Sequence, residues 1–430
     1  MNRRMSVVSI CAAVVGAVLV IGEWSGAISA QGGPAASYIV VLQQDVPDVP
    51  AVANEHARAH GLSIARTFRR ALRGYAAVIP QARLDQVRND PRVRFVSEDR
   101  PVFAVAQTLP TGINRIEADE SSQLSGNGAD AVAGSAVAVI DTGSGPHGDL
   151  NVVGGVNCST GNSFNDGNGH GTHVAGTIGG RDNGSGVVGV APGVPIYAVR
   201  VLNNAGSGSW SSVICGIDWV AERASTIKVA NMSLGGSGSD DGNCGATNSD
   251  ALHVAICGAV EAGVTFVVAA GNDAADFNGF VPAAYNEVLT VTAMADFNGM
   301  PGGGGSATCR SDVDDTPADF SNFTTAGSTD EAHTIAAPGV CINSAWKNGG
   351  FKTISGTSMA SPHVAGAVAL CMATEGDCNT GDVPADIITR LRTAAAAQAP
   401  AYGFAGDPNS PITSRGRTLY YGHLLYVGGY

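Results

Sequence analysis

Three short segments rich in glycine and other small residues each hold one reactive-type side chain at the edge of a regular element. They are Val139-Ile140-Asp141-Thr142-Gly143, His170-Gly171-Thr172-His173-Val174-Ala175-Gly176 and Gly356-Thr357-Ser358-Met359-Ala360-Ser361-Pro362-His363-Val364-Ala365-Gly366. Asp141 closes an apolar β-branched run at 136–140, whereas His170 and Ser358 open stretches with helical character at 170–179 and 358–372. Further apolar runs at 196–201, 229–232, 264–269 and 288–292 alternate with helical patterns at 211–222 and 250–262. That alternation predicts an α/β fold: a doubly wound, mostly parallel sheet with helices on both faces. Such folds bind ligands beyond the C-terminal ends of their strands, where both Asp141 and Asn272 fall. A helix at 385–397 and an extended segment at 423–427 complete the expectation.

A serine hydroxyl near neutral pH is a weak nucleophile and needs an adjacent base. Ser358, after Gly356 at a helix start, lies in the positive end of the helix dipole, although serine there also serves as a plain N-cap. His170 is the candidate base and proton donor. His173, one turn along, competes for the role, and a His pair at this spacing can hold metal, but the glutamate of an H-E-x-x-H helix is missing. A carboxylate stranded at a buried strand end is costly without a cationic partner, which supports a pairing of Asp141 with His170. Asn272, in Val268-Ala269-Ala270-Gly271-Asn272, is either a turn residue or an amide donor toward a developing oxyanion.

Taken in this order, Asp then His then Ser, the three segments resemble the subtilases, and the resemblance runs through nearly everything after residue 37. It implies a serine endopeptidase of broad specificity acting on protein and peptide substrates. Asp141, His170 and Ser358 would form its triad, with the Asn272 amide and the Ser358 N–H as oxyanion hole. Ser233-Leu234-Gly235-Gly236 and Gly206-Ser207-Gly208 resemble the two edges between which substrate lies as an added strand, with Trp210 beside a distal apolar subsite and Asp273 near the primary pocket. Asp182-Asn183-Gly184-Ser185-Gly186-Val187 resembles the structural calcium loop. The implied Ca²⁺ ligands are the side chains of Gln107, Asp149 and Asn183 and the carbonyls of Arg181, Ser185 and Val187, an all-oxygen set that suits the ion.

Residues 38–105 read β-α-β-β-α-β, a ferredoxin-like α+β order similar to the inhibitory propeptide of subtilases. Ala106-Gln107-Thr108-Leu109-Pro110 resembles a mature N-terminus, placing self-cleavage between Val105 and Ala106. The expected organisation is a signal peptide at 1–30, a propeptide at 31–105 that acts as intramolecular inhibitor, and a protease domain at 106–430. Arg3 and Arg4 ahead of an apolar stretch of about fifteen residues, then Ala27, Ser29 and Ala30, give the signal layout; the stretch is short for a spanning helix. Secretion follows, with no membrane attachment after signal removal.

Residues 1–105 carry twelve Lys and Arg against eight Asp and Glu, while the rest carries twelve against twenty-nine, a net of −17. An acidic body argues against nucleic acid as a partner, and nothing in the pattern calls for more than a monomer. Eight cysteines remain once Cys11 leaves with the signal, an even number in an exported chain, which reads as disulfides. Proximity pairs Cys244 with Cys257, Cys309 with Cys341 and Cys371 with Cys378, leaving Cys158 for Cys215. Two other readings compete. One is a catalytically silent subtilase fold used for binding, which an intact set of Asp141, His170, Asn272 and Ser358 disfavours. The other is an esterase built on Ser358, Asp407 and His423, but Gly356-x-Ser358-x-Ala360 lacks the second glycine of that elbow.

Overall fold

In the computed structural model the described residues are 35–99, 107–130, 136–373, 377–378 and 382–430. The expected signal segment and the Val105–Ala106 junction lie outside them. The chain divides into two compact units at Ala104–Val105.

The first unit runs β1 (Ala35–Leu42), α1 (Val49–His60), β2 (Ser63–Phe68), β3 (Gly74–Pro80), α2 (Leu84–Arg88) and β4 (Val93–Glu98). Its antiparallel sheet has the order β2-β3-β1-β4, the ferredoxin-like arrangement read from the sequence. Asp48 starts α1 by accepting the Ala51 N–H at 3.0 Å, and Gly61 ends it in the left-handed region at φ 68°. Val40, Leu42, Ala53, Tyr75, Ile79 and Val87 form its core.

The second unit opens with α3 (Thr111–Arg115) and β5 (Ala136–Asp141). It continues through β6 (Val152–Asn157), α4 (His170–Gly179), β7 (Ile196–Arg200), α5 (Trp210–Ala221), β8 (Ile227–Met232), β9 (Gly236–Ser237), α6 (Ala251–Glu261) and β10 (Thr265–Ala269). Then come β11 (Phe280–Val281), β12 (Leu289–Ala295), β13 (Thr316–Pro317), β14 (Thr324–Thr325), β15 (Thr334–Pro338), β16 (Ile342–Trp346) and β17 (Gly350–Ile354). The C-terminal part holds α7 (Thr357–Cys371), α8 (Pro384–Ala396), β18 (Ile412–Ser414) and β19 (Arg417–Tyr420). The main sheet runs β13-β12-β10-β8-β5-β7-β6 with β15 also paired to β12, all parallel except β13.

Strand alternation decides which helix covers which face. Val137 and Val139 of β5 point into the core shared with α4, α7 and α8, while Ala138 and Ile140 point into the one shared with α5 and α6. Each such fully buried valine or isoleucine contributes about 1.5–3 kcal/mol. Helices α4 and α7 meet at glycine distance. A Cβ on Gly366 would sit 2.6 Å from Val190 Cβ and 3.2 Å from the Ile178 carbonyl of α4, while Gly176 of α4 faces β16, where its Cβ would lie 2.9 Å from Ala345 Cβ.

All four expected disulfides are formed: Cys158–Cys215, Cys244–Cys257, Cys309–Cys341 and Cys371–Cys378. The expected extended segment at 423–427 is not a strand. Only Leu424 bridges Ala336 there, and the C-terminal ladder is instead β18–β19, with β14 added to β19. Tight packing of Leu424, Leu425 and Val427 explains the apolar run that suggested a strand. No helix among the described residues is long and apolar enough to cross a membrane.

Candidate active site

The centre of the parallel sheet delivers Asp141. Strand β5 lies between β8 and β7, and its last residue is completely buried. One Asp141 oxygen accepts the Thr142 N–H at 2.6 Å, and the two oxygens lie 2.8 and 2.9 Å from His170 Nδ1. His170 is the first residue of α4 and keeps 27% of its side chain exposed. Burial pulls its pKa down, but the charge and hydrogen bond of Asp141, helped by Asp166, outweigh that and hold it above the usual histidine value.

Asp166, which no motif singled out, is 8% exposed and anchors this corner. Its Oδ1 accepts the Thr142 hydroxyl at 2.9 Å and the N–H groups of Asn168 and Gly169 at 2.9 and 2.8 Å. Its Oδ2 accepts the Thr172 N–H at 2.8 Å and hydroxyl at 2.7 Å. A carboxylate before α4 also complements the helix dipole. In Asp166-Gly167-Asn168-Gly169 it reads from sequence as ordinary turn chemistry, which hides the role.

His173 points the other way. Its Nε2 lies 3.0 Å from the carbonyls of Ile342 and Lys352, and burial pushes its pKa down to about 3. It is a neutral packing residue, not a second base.

Ser358 is the second residue of α7, whose N-cap is Gly356, and it makes no capping bond. Its hydroxyl instead donates to the Ser233 carbonyl at 3.3 Å, and the Ser233 hydroxyl donates to the Ser358 carbonyl at 2.9 Å. Asn231 donates to Ser233 Oγ at 3.0 Å and accepts from the Ser361 hydroxyl at 2.7 Å, so β8 and α7 are locked where Ser358 emerges. Asn272 follows β10 through Gly271, whose positive φ of 103° suits glycine. Its Oδ1 accepts the Thr357 N–H at 2.8 Å and hydroxyl at 3.0 Å. Among the described residues its Nδ2 makes no hydrogen bond. Nδ2 and the Ser358 nitrogen lie 3.8 and 3.7 Å from the point a Gly356 Cβ would occupy, with Asn272 Oδ1 also at 3.7 Å.

A cleft of about 710 Å³ brings His170 and Thr142 together with Gly206, Ser207, Gly208, Trp210, Ser233, Leu234 and Gly235. Ser358 joins it through Ser233. A side chain at Gly235 would collide with Phe280 Cζ at 2.6 Å and the Val281 carbonyl at 2.8 Å, which keeps this edge flat. Asp273 is not among the lining residues; its N–H donates to Asn322. Asp407 and His423 do lie 3.5 Å apart, but Ser358 faces Ser233 rather than that pair.

The residues of the expected calcium loop also converge. Gln107 donates to the Arg181 carbonyl at 2.7 Å and accepts the Gly184 N–H at 3.0 Å. Asp149, 4% exposed, accepts from Asn183 Nδ2 at 3.2 Å and from the Val187 N–H at 3.0 Å. Asn183 Oδ1 accepts the Ser185 N–H and hydroxyl at 3.0 and 2.8 Å. Burial raises the Asp149 pKa, partly offset by these bonds, and no lysine or arginine pairs with it among the described residues.

The subtilase family model matches residues 133–406, and a peptidase inhibitor I9 model matches residues 37–104. Over 273 residues the chain is 39% identical to subtilisin DY of Bacillus licheniformis, covering 62% of this chain and 85% of that one. It is 36% identical over 356 residues to alkaline serine exoprotease A of Vibrio alginolyticus, covering 78% of this chain but 58% of that longer one. Among solved structures it is similar to a cold-adapted subtilisin-like serine proteinase at a TM-score of 0.54 and 36% identity, covering 74% of this chain and 97% of the other. Parallel sheet, cleft and matches agree: the chain belongs to the subtilase family, as a subtilisin-type serine protease preceded by an I9 inhibitor domain.

Proposed function

We propose that the protein is a secreted endopeptidase, made as a self-cleaved precursor, that hydrolyses peptide bonds through an acyl-enzyme on Ser358. The observation that carries this reading is the buried Asp141 carboxylate held 2.8 Å from His170 Nδ1 beside the cleft. Asp141 fixes the tautomer with its proton on Nδ1, leaving Nε2 free to take the Ser358 proton. As Ser358 Oγ attacks the carbonyl carbon, charge develops on the oxygen and is met by Asn272 Nδ2 and the Ser358 N–H. His170 then returns the proton to the leaving amine, and water repeats the sequence on the ester. The 206–208 and 233–235 edges hold the substrate backbone between them.

The domain reading follows: 1–30 signal, 31–105 inhibitory propeptide, 106–430 protease, with cleavage after Val105. Gln107, Asp149 and Asn183 with the carbonyls of Arg181, Ser185 and Val187 would hold Ca²⁺, since a buried carboxylate lacking a cationic partner sits among neutral oxygen donors. Asn183 offers its Nδ2 to Asp149 here, so ligation calls for the opposite amide orientation. Bound calcium supplies loop rigidity and takes no part in proton transfer. Chelation should then lower the melting temperature of a Ser358→Ala chain, and calcium should restore it.

The decisive test is to express the full chain and its Ser358→Ala variant in a protease-free host. The parent should mature to an N-terminus near Ala106 and digest casein, while the variant stays full length. Identical maturation of both would refute self-cleavage, and a matured chain inert toward casein would refute the activity.

A further inference from the structure

Away from the cleft, two carboxylates of the loop between β9 and α6 and a third, Glu287, from the segment between β11 and β12 surround one completely buried imidazole. His253, on α6, is 0% exposed, and its Nδ1 has no hydrogen-bond partner. That nitrogen lies 3.6 Å from Asp240 Oδ1 and 3.5 Å from Asp241 Oδ1, too far for hydrogen bonds. On the other side of the ring, Nε2 lies 2.8 Å from Glu287 Oε2. We propose that Asp240, Asp241 and His253 form a binding site for a divalent transition-metal ion of the Zn²⁺ type, distinct from the calcium loop and from the catalytic residues.

Three features support this. The spacing is the first: donors bonded at about 2.1 Å with tetrahedral angles around one ion lie roughly 3.4 Å apart, close to the separations seen. The second is orientation. A metal-bound histidine usually gives its other ring N–H to a carboxylate, which fixes the tautomer and leaves the ligating nitrogen bare. Glu287 does this for Nε2, and Tyr285 stacks on the ring at 3.9 Å and 3°, with its hydroxyl tied to Asp250. The third is charge. No lysine or arginine pairs with Asp240, Asp241 or Glu287 among the described residues, so even a protonated His253 leaves the cluster net negative by two.

The carboxylates are also held in advance. Asp241 accepts N–H groups from Asn243, Gly245, Thr247 and Asn248 at 2.7 to 3.2 Å. Asp240 accepts the Gly242 N–H at 2.8 Å and the Asn286 side chain. The Cys244–Cys257 disulfide staples the loop to α6, the helix that carries His253. An imidazole among the donors disfavours Ca²⁺ and Mg²⁺ and suits Zn²⁺, with water completing the shell. The loop leaves directly from the 233–237 edge of the cleft, so the ion would brace that edge from its far end.

The test uses the full chain carrying Ser358→Ala, stripped of metal and held in saturating calcium, titrated with Zn²⁺ against a chromogenic competitor. The parent should bind one equivalent that His253→Gln and Asp240→Asn each lose, and Glu287→Gln should weaken that equivalent about tenfold or more. Zn²⁺ should raise the melting temperature of the parent but not of Asp240→Asn. Equal zinc stoichiometry in the parent and in both ligand variants would overturn the proposal. So would the absence of stoichiometric zinc in the parent, which leaves only an imidazolium between carboxylates. If His253→Gln loses its near-ultraviolet circular dichroism, Asp240→Asn decides alone.

Discussion

Thr142 and Asp166 are joined by a 2.9 Å hydrogen bond from hydroxyl to carboxylate, and the same Thr142 oxygen accepts the Gly171 N–H at 2.9 Å. The strand that ends in Asp141 is thereby tied to the helix that begins with His170. Two residues that must face each other are thus set by Thr142, at the cleft wall, and Asp166 behind it.

Replacing Asp166 with Asn keeps the shape but turns one acceptor into a donor, leaving a buried N–H or hydroxyl near Thr172 unmet, at about 1–3 kcal/mol. Misplacement of His170 should lower kcat/KM about 10²-fold. The acid limb of the rate profile should also move down, because a negative charge near the imidazole is gone. A lower melting temperature with an unchanged pH profile would reduce Asp166 to a structural role.

His170 must be neutral to act as base, and its pKa is raised above the ordinary 6.5, Asp141 and Asp166 outweighing burial. Activity should therefore be lost as pH falls through a value above 6.5, read from kcat/KM against pH. Asp141→Asn should move that limb to lower pH and cut kcat by about 10⁴-fold. A parent acid limb below 6.5 would contradict this electrostatic account.

On the proposed mechanism, Asn272→Ala removes one oxyanion donor while leaving the cleft walls in place. The expected loss is about 10²–10³-fold in kcat with little change in KM, since the bond strengthens only as charge develops. Steady-state kinetics on a peptide amide will separate the two constants. A rise in KM at constant kcat would assign Asn272 to substrate binding instead.

Cys158–Cys215 spans 57 residues and Cys371–Cys378 spans seven. Chain-entropy scaling gives about 4 kcal/mol for the first and about 2 kcal/mol for the second. Paired serine replacements in a Ser358→Ala background should lower the melting temperature more for the long loop. An equal or reversed order would show that local packing at α7 outweighs loop entropy.

The central sheet could be read directly because its strands are buried on both faces and so print as continuous β-branched runs. Helices α4 and α7 were legible for the same reason, each beginning at a motif residue. The fold was obscure where that signal weakens. Strand β6 carries Gly154 and Gly155, the β16–β17 hairpin is partly exposed and carries Lys352 and Asn343, and β18–β19 is three and four residues long. Leu424, Leu425 and Val427 misled in the other direction, since burial rather than pairing explains them. At the site, residues that touch the chemistry announce themselves by type. Asp166 and Asn231 do not: most of the Asp166 donors are its own loop and helix-start neighbours, so it looks like any turn acid until the fold brings Thr142 to it.

The close crossing of α4 and α7 bears on how this enzyme could be adapted. Because Gly366, packed against Val190 and the Ile178 carbonyl of α4, admits no methyl group, the helices that carry His170 and Ser358 form a block that cannot loosen by degrees. Adaptation toward warmth or cold is then more readily accommodated at the periphery, such as the 298–305 glycine stretch and the cystine-bound outer loops. The temperature at which the protein works can then be retuned while its reaction centre stays unaltered.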